Sequence, residues 1–162
     1  PHPPLHPTPH CNPPPHPTPP LYHHPTQVWH YGDEAYRSIT TIMALRESIR
    51  PYVSKVMALA ASTGVPALRP LFLEFPAVAE LPASEAIDGT FLLGPDYLVS
   101  PVTTFNATSW RVYLPALADQ SARWVHHYTG ASYAGGREID VDVRDLDTFP
   151  LFKRSDATLA TV

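Results

Sequence analysis

The chain has 162 residues, 44% of them hydrophobic and 16% charged, with a formal net charge of −4. That length suits one ordinary domain or two small ones. Eleven basic residues are scattered among fifteen acidic ones and form no stripe, which argues against a nucleic-acid partner. No apolar run approaches the roughly 18 residues of a membrane-spanning helix, so no membrane partner is expected either.

The cysteine content excludes two kinds of site, and the N-terminus leaves the cellular location open. The single cysteine, Cys11, excludes an internal disulfide framework and a cysteine-based zinc site. The chain begins with Pro1 and shows no charged segment followed by an apolar one, as a signal peptide would. We expect that the true N-terminus is missing or misassigned, and both secreted and cytoplasmic locations stay open.

The first 26 residues form a proline- and histidine-rich tract. They hold 12 of the 21 prolines, 6 of the 9 histidines and no Asp, Glu, Lys or Arg, and His6-Pro7-Thr8-Pro9 recurs as His16-Pro17-Thr18-Pro19. This proline density favours polyproline II, so we predict a low-complexity, disordered segment over residues 1–26, a linker or a mistranslated stretch. A proline motif or a weak metal site is the alternative, although an unfolded ligand set must bear its own ordering entropy. The ligands would be His2, His6, His10 and His16.

From Gln27 the pattern changes, and the first element is a long amphipathic helix. Asp33, which follows the aromatic segment 28–32, is predicted as its N-cap, with Glu34 in the first turn. Pro51 predicts a kink or break near residues 49–51, and Gly64 should end the second piece. The apolar residues fall mostly three or four apart, which predicts one stripe facing a core. They are Ala35, Ile39, Ile42, Met43, Ile49, Val53, Val56, Met57 and Ala60.

The next run, Pro66–Pro76, is mostly apolar and short enough for a strand. Its lack of alternation is typical of a strand buried on both faces of a parallel sheet, and the preceding helix fits an α/β unit. The acidic, alanine-rich stretch 78–88 is predicted to be a connector.

Beyond Gly89 short apolar runs alternate with Gly, Pro and Asn about every ten residues, the pattern of an all-β region. In the clearest run, Glu138–Val143, acids alternate with aliphatic residues, so a strand would turn its acids to water. The other five candidates are 91–93, 97–102, 111–115, 122–127 and 149–152. Six such strands predict an antiparallel β-sandwich appended to the α/β unit.

Five ordered motifs resemble the C-terminal portion of glycoside hydrolase family 31, the α-glucosidase and α-xylosidase family. The resemblance covers residues 27 to 154. The first motifs are Val28-Trp29-His30-Tyr31-Gly32-Asp33-Glu34, then Leu45-Arg46 with Arg50-Pro51-Tyr52, then Gly64-Val65-Pro66-Ala67-Leu68-Arg69-Pro70-Leu71 with Glu74-Phe75-Pro76. The others are Phe91-Leu92-Leu93-Gly94-Pro95-Asp96-Tyr97-Leu98-Val99-Ser100-Pro101-Val102 and Val112-Tyr113-Leu114-Pro115, continuing through Trp124, Thr129-Gly130, Gly135-Gly136 and Phe149-Pro150-Leu151-Phe152. Ala77-Val78-Ala79 departs from the family, which commonly has an acid there.

The resemblance implies that residues 27–84 are the C-terminal end of a (β/α)8 catalytic barrel and residues 85–162 a β-sandwich C-terminal domain. It further implies a retaining α-glycosidase that hydrolyses terminal α-linked glucosyl or xylosyl residues of an oligosaccharide substrate and needs no cofactor. The family's nucleophile and acid/base aspartates, and the Arg and His that bind the sugar, lie on strands N-terminal to the aromatic segment, where this chain has the Pro/His tract. No catalytic residue is therefore assigned, and the chain alone is expected to be inactive.

Three acids could still form the pair of carboxyl groups, about 5–5.5 Å apart, that a retaining glycosidase uses. Asp33 and Glu34 are explained by their place at a helix start. Glu74 lies near the end of the predicted barrel strand, the side where barrels carry active sites, but pairing with Arg69 or a backbone amide is favoured.

The remaining polar candidates are mostly explained by strand structure. The series Asp140, Asp142, Asp145 and Asp147 lacks the glycine turn and distal Glu of a calcium loop, so a solvated face is favoured. His126 and His127 would point to opposite faces of a strand and are predicted at the surface or in a loop. No metal site is predicted.

Several aromatic residues could stack on sugar rings, but core filling is favoured for the set, because Tyr113 and Trp124 sit inside apolar strand patterns. This set is Trp110, Tyr113, Trp124, Tyr128 and Tyr133. Asn106-Ala107-Thr108 is a glycosylation sequon in a predicted turn. The alternative to an enzyme fragment is a free-standing β-sandwich that binds carbohydrate or a partner protein, and in-frame barrel sequence immediately upstream would decide between them.

Overall fold

A computed structural model describes residues 28–157 and 159. The predictions for the Pro/His tract, including its histidine ligands, lie outside the described residues. The helices are α1 (Asp33–Ser48), α2 (Arg50–Thr63), α3 (Leu71–Glu74) and α4 (Glu85–Asp88), with 3-10 turns at Val28–Tyr31 and Pro76–Glu80. The strands are β1 (Leu68–Pro70), β2 (Phe91–Leu93), β3 (Tyr97–Val99), β4 (Ser109–Leu114), β5 (Trp124–His126), β6 (Ser132–Tyr133), β7 (Arg137–Asp142) and β8 (Leu151–Arg154).

Two antiparallel sheets form the β region, as the run of short strands predicts. The larger sheet has the order β1-β2-β3-β8-β5-β6, and β4 pairs with β7 in a second, two-stranded sheet. Their facing side chains form one core, in which Leu92, Leu98, Trp124 and Phe152 of the large sheet join residues of the small one. The small sheet contributes Val112, Leu114 and Val141. All six strands predicted beyond Gly89 are present, β6 is additional, and β1 lies within the separately predicted strand Pro66–Pro76.

The helical pair, α1 and α2, covers the opposite face of the large sheet. Tyr52 and Val56 of α2 pack with Tyr97 and Leu151 in a second core cluster. The predicted break is confirmed: α1 ends at Ser48 and α2 starts at Arg50, which places Pro51 in the first turn, where no N–H is required. Gly64 ends α2 with φ 76°, the left-handed conformation that glycine tolerates best.

The N-cap prediction at Asp33 is wrong. Gly32 holds that position with φ 85° and ψ 165°, a conformation that favours glycine, and Asp33 is the first helical residue. Asp33 and Glu34 both lie in the first turn, where their charges still favour the helix dipole.

The prediction of a parallel strand buried on both faces is also wrong. β1 has three residues, pairs antiparallel with β2 at the edge of the large sheet, and buries only its middle residue, Arg69. The rest of the apolar run is the short helix α3, which buries Leu71 and exposes Phe72 and Leu73. The run lacks alternation because it changes from strand to helix after Pro70. None of the helices in residues 28–157 has the length and hydropathy needed to cross a membrane.

Candidate functional site

Glu74 is the partner of Arg69, as the sequence predicts. Arg69 Nη1 lies 2.8 Å from Glu74 Oε2, and Arg69 Nε donates to the Pro66 carbonyl oxygen at 3.0 Å. Arg69 is buried, so removing Glu74 would leave a desolvated guanidinium unpaired. This geometry gives Glu74 a structural role in closing the β1–α3 turn.

The acids of β7 face solvent and pair with arginines. Arg111 Nε lies 3.2 Å from Asp140 Oδ1 and 4.0 Å from Glu138 Oε2, across the β4–β7 pair. Asp142 contacts Arg144 through its side chain, which lowers the pKa of Asp142 to about 2. The predicted solvated face is therefore confirmed for Asp140 and Asp142.

Asp145 and Asp147 lie in the loop after β7. Asp145 Oδ1 accepts the Asp147 N–H at 2.9 Å, a local turn contact. Within the part of the chain that the structure describes, no three His, Cys, Asp or Glu side chains come together as a metal-binding group.

An open groove lies beside the charged residues Arg111, Glu138 and Asp140. Its volume is about 650 Å³, and its walls come from the start of α4 on one side and from β4 and β7 on the other. The lining residues are Ser84, Glu85, Ala86, Ser109, Trp110, Arg111, Glu138 and Asp140. The sequence singled out Trp110 and the acids separately, but neither the β4–β7 pairing that places them on neighbouring strands nor the contact of α4 with β4 has a signal in the local pattern.

The two adjacent histidines have different environments, and the surface prediction fails for one of them. His127 is exposed, whereas His126 is buried and packs edge-on against Phe152. His126 Nδ1 lies 3.3 Å from the Thr129 backbone nitrogen and 3.0 Å from the Thr129 hydroxyl oxygen. Burial, together with neighbouring His127, lowers the pKa of His126.

The five aromatic residues all pack in or against one of the two core clusters. Trp124 is fully buried and donates from Nε1 to the Pro115 carbonyl oxygen at 2.8 Å, which confirms it as a core residue. Trp110, Tyr113 and Tyr133 are half-buried and pack against the same core, and half-buried Tyr128 packs against the helix-side cluster. The sequon residue Asn106 is exposed with φ 56°, in keeping with the predicted turn.

Comparison with known proteins identifies the family. Residues 64–159, more than half of the chain, match the glycosyl hydrolase family 31 C-terminal domain. The chain is similar to a sulfoquinovosidase of Escherichia coli (31% identity; 85% of this chain, 19% of the relative) and to alpha-glucosidase 2 of Bacillus thermoamyloliquefaciens (30%; 82% and 16%). A crystal structure of a GH31 alpha-xylosidase from a soil metagenome, complexed with xylose, superimposes with a TM-score of 0.70 at 36% identity, over 82% of this chain and 18% of that one.

This chain thus spans less than a fifth of the length of each of these relatives. The motifs, the antiparallel sandwich and the profile match agree, and the chain belongs to glycosyl hydrolase family 31, with residues 64–159 forming its C-terminal domain.

Proposed function

We propose that this chain is the C-terminal part of a retaining α-glycosidase that hydrolyses terminal α-linked glucosyl or xylosyl residues, and that it has no glycosidase activity alone. The observation that carries the proposal is the family match together with the small share of each relative that the chain spans. The alpha-glucosidase and alpha-xylosidase relatives indicate the two sugars.

The carboxylates of the described residues give the proposal of inactivity its chemical basis. A retaining mechanism needs one carboxylate to attack the anomeric carbon and a second carboxyl group to protonate the leaving oxygen. Glu74 is held by Arg69 at 2.8 Å, and Asp140 is held by Arg111 at 3.2 Å. Each of these acids is thus already paired with an arginine.

Assays of the 162-residue chain with aryl α-glucoside and aryl α-xyloside test this proposal. We expect turnover no higher than the uncatalysed background. Turnover well above background that survives Glu74→Gln would place a complete active site elsewhere in this chain. Loss of such turnover on that substitution would make Glu74 catalytic.

For the domain organisation, we propose that the helical pair is the end of the barrel and that the sandwich braces the barrel. Several apolar side chains of the pair are exposed, among them Ile42 (40%), Met43 (55%) and Met57 (56%), and a barrel would supply partners for them. The sequence predicted the boundary between barrel and sandwich at residue 84. We propose a boundary near residue 64 instead, because β1 pairs with β2 of the sandwich and the family match begins at residue 64.

A polypeptide of residues 27–76 alone should then aggregate and melt without cooperativity. A cooperative melt of a monomer would contradict the barrel origin. The alternative, a free-standing module, is less well supported because the superposition on the alpha-xylosidase covers 82% of the chain, more than residues 64–159 alone. In-frame sequence encoding a barrel immediately upstream would decide between the two.

A further inference from the structure

We propose that Asn106 is a modification site, the acceptor of an N-linked oligosaccharide, and that the first sugar of this oligosaccharide packs on the exposed ring of Phe105. The inference concerns the surface of the sandwich and goes beyond the proposed glycosidase function, because it requires neither hydrolysis nor a barrel. Four observations carry it: a single acceptor motif, a fixed turn that presents this motif, free functional groups within it, and an uncovered apolar surface beside it.

The acceptor motif occurs once in the chain. Asn12 and Asn106 are the only asparagines, and Asn12 is followed by two prolines, which exclude it as an acceptor. Asn106-Ala107-Thr108 has a hydroxyl residue two positions after the asparagine and no proline between them. A glycan on this chain would therefore have one attachment point, and one substitution would remove that point.

The motif lies in a turn that is fixed at both ends. The Ala107 N–H donates to the Thr104 carbonyl oxygen at 3.4 Å, and the Val143 N–H donates to the Thr108 carbonyl oxygen at 3.2 Å, next to the β4–β7 pair. Asn106 lies between these bonds with φ 56°, a left-handed conformation that asparagine adopts more readily than most residues. The fold thus holds the backbone of the motif and leaves its tip at the surface.

The two functional groups of the motif are free. Asn106 and Thr108 are both exposed, and within the described residues neither the Asn106 carboxamide nor the Thr108 hydroxyl is hydrogen-bonded to another group of the chain. A carboxamide that the fold used as a donor or acceptor would have to give up that bond on modification. At Asn106 no such bond is lost, so the folded chain can carry the glycan without rearrangement.

The modification is a group transfer, and its donor is a lipid diphosphate-linked oligosaccharide. Asn106 Nδ2 forms a bond to the anomeric carbon of the first sugar, and the bond between that carbon and the diphosphate oxygen breaks. The lipid diphosphate leaves with the electron pair, and the amide nitrogen releases one proton. The side chain keeps its carbonyl oxygen and one N–H, so no charge is added to the turn.

The surface beside Asn106 is apolar and uncovered. Phe105 is 91% exposed and Leu146 is 68% exposed, the two largest values among the large hydrophobic residues of the described chain. Both line an open groove of about 780 Å³, to which Ile42 and Phe149 also contribute and which Asn106 itself borders. An apolar patch of this kind marks a surface that another group covers.

A sugar on Asn106 is a suitable cover for this surface. The C–H face of a pyranose ring packs well on the flat face of an aromatic ring. Phe105 directly precedes Asn106, so their Cα atoms are roughly 3.8 Å apart and the ring is within reach of the first sugar. The covalent bond gives the sugar a high effective concentration at the ring, so packing requires no affinity for a free sugar.

The first test is expression of the 162-residue chain behind a cleavable leader in yeast, with electrophoresis of medium and cell lysate before and after endoglycosidase treatment. We expect an endoglycosidase-sensitive shift in mobility that disappears in Asn106→Gln and in Thr108→Ala. Thr108→Ser keeps the motif and should keep the shift. Thr104→Ala, in the same turn but outside the motif, is the matched control and should be modified to within twofold of the parent chain.

The second test asks whether the first sugar packs on Phe105. An endoglycosidase that leaves one sugar on Asn106 should give a form that melts about 2 °C or more above Asn106→Gln, because the sugar covers the exposed ring. In a Phe105→Ala background this difference should vanish. In a Phe72→Ala background, which removes a phenylalanine that is 56% exposed outside the groove, the difference should remain.

Three results would overturn the proposal. The first is a chain without an endoglycosidase-sensitive shift in either medium or lysate, and the second is a shift that persists in Asn106→Gln. The third is a melting difference that is equal with and without Phe105, or absent from both, which would contradict packing of the sugar on the ring. None of these results bears on the glycosidase proposal, which the turnover assays test.

Discussion

The helical pair and the β-sandwich obey the same rules of local structure but differ in how completely their apolar residues are covered. The sixteen residues of α1 bury one side chain, Ser38, and the fourteen of α2 bury Tyr52 and Val56. In the sandwich, Trp124, Phe152, Leu92 and Leu98 have no exposed surface. An amphipathic pattern thus shows which residues need a partner, but it does not show whether this chain supplies one.

The largest expected effect tests the sandwich core. Trp124→Ala removes a fully buried indole and its hydrogen bond to Pro115, and should cost about 3–5 kcal/mol of unfolding free energy. Trp29→Ala, at a position 64% exposed, should stay within about 0.5 kcal/mol. Urea titrations followed by circular dichroism would measure both. Equal losses at the two positions would mean that the sandwich is no better packed than the helical segment.

The sequence predicted the sandwich well because its signals are local. Alternation of acids and aliphatic residues marks the strand Glu138–Val143, and glycines mark the turns. Both patterns can be recognised without knowing which strands pair with each other. The pattern failed at β1, where the pairing with β2 joins residues 21 to 25 positions apart, and where α3 follows with no break in hydrophobicity. A strand of three residues is also too short to show a period.

The candidate site was less accessible to sequence reasoning than the fold. The Arg69–Glu74 pair was predicted because the two residues are five apart and of opposite charge. The burial of His126 was missed because its coverage depends on Phe152, 26 positions later. The groove was missed because the hydrogen bonds from Trp110 to Ala86 connect residues through two hydroxyls that are unremarkable in the sequence.

The second prediction tests whether the two regions depend on each other. Gly94 has φ 61°, and a Cβ there would lie 2.3 Å from Tyr52 Oη and 2.6 Å from Val56 Cγ2. Gly94→Ala should therefore displace α2 and cost about 2–4 kcal/mol, from overpacking and from left-handed strain together. Gly130→Ala is the matched control, because its φ is 70° and nothing lies within 4 Å, so only the strain of about 1–2 kcal/mol applies. Similar losses in thermal denaturation would show that α2 does not dock tightly on the sheet.

The third prediction isolates the hydrogen bonds between α2 and the β-sandwich. Tyr52 Oη donates to the Leu93 carbonyl oxygen at 2.8 Å and accepts the Asp96 N–H at 3.1 Å. Tyr52→Phe keeps the ring against Tyr97 and should cost about 1–2 kcal/mol, since the Asp96 N–H is left buried without this partner. Tyr36→Phe, at a position 45% exposed, should change stability by less than about 0.5 kcal/mol. Equal denaturation midpoints for the two variants would mean that apolar packing alone holds α2 on the β-sandwich.

The smallest effect should come from pH, and it should arise in the sandwich. Burial lowers the pKa of His126 from its ordinary value of 6.5, and the pKa of His127 is lowered as well, so unfolding takes up protons in mildly acidic solution. Stability should therefore be complete above about pH 7 and decline as the pH falls through 6.5. Asp142, whose pKa is lowered to about 2, loses its contribution in the same direction, but only below about pH 4.

The range from pH 7 to 5 consequently separates the histidines from the carboxylates. Urea midpoints measured across it should fall for the parent chain and fall less for His126→Gln, whatever the absolute stability of that variant. His127→Gln, which removes the exposed neighbour, should retain the part of the slope that belongs to the buried ring. A parent midpoint that stays constant from pH 7 to 5, or a slope unchanged in His126→Gln, would mean that His126 becomes protonated within the intact sheet, and that the core tolerates an imidazolium beside Phe152.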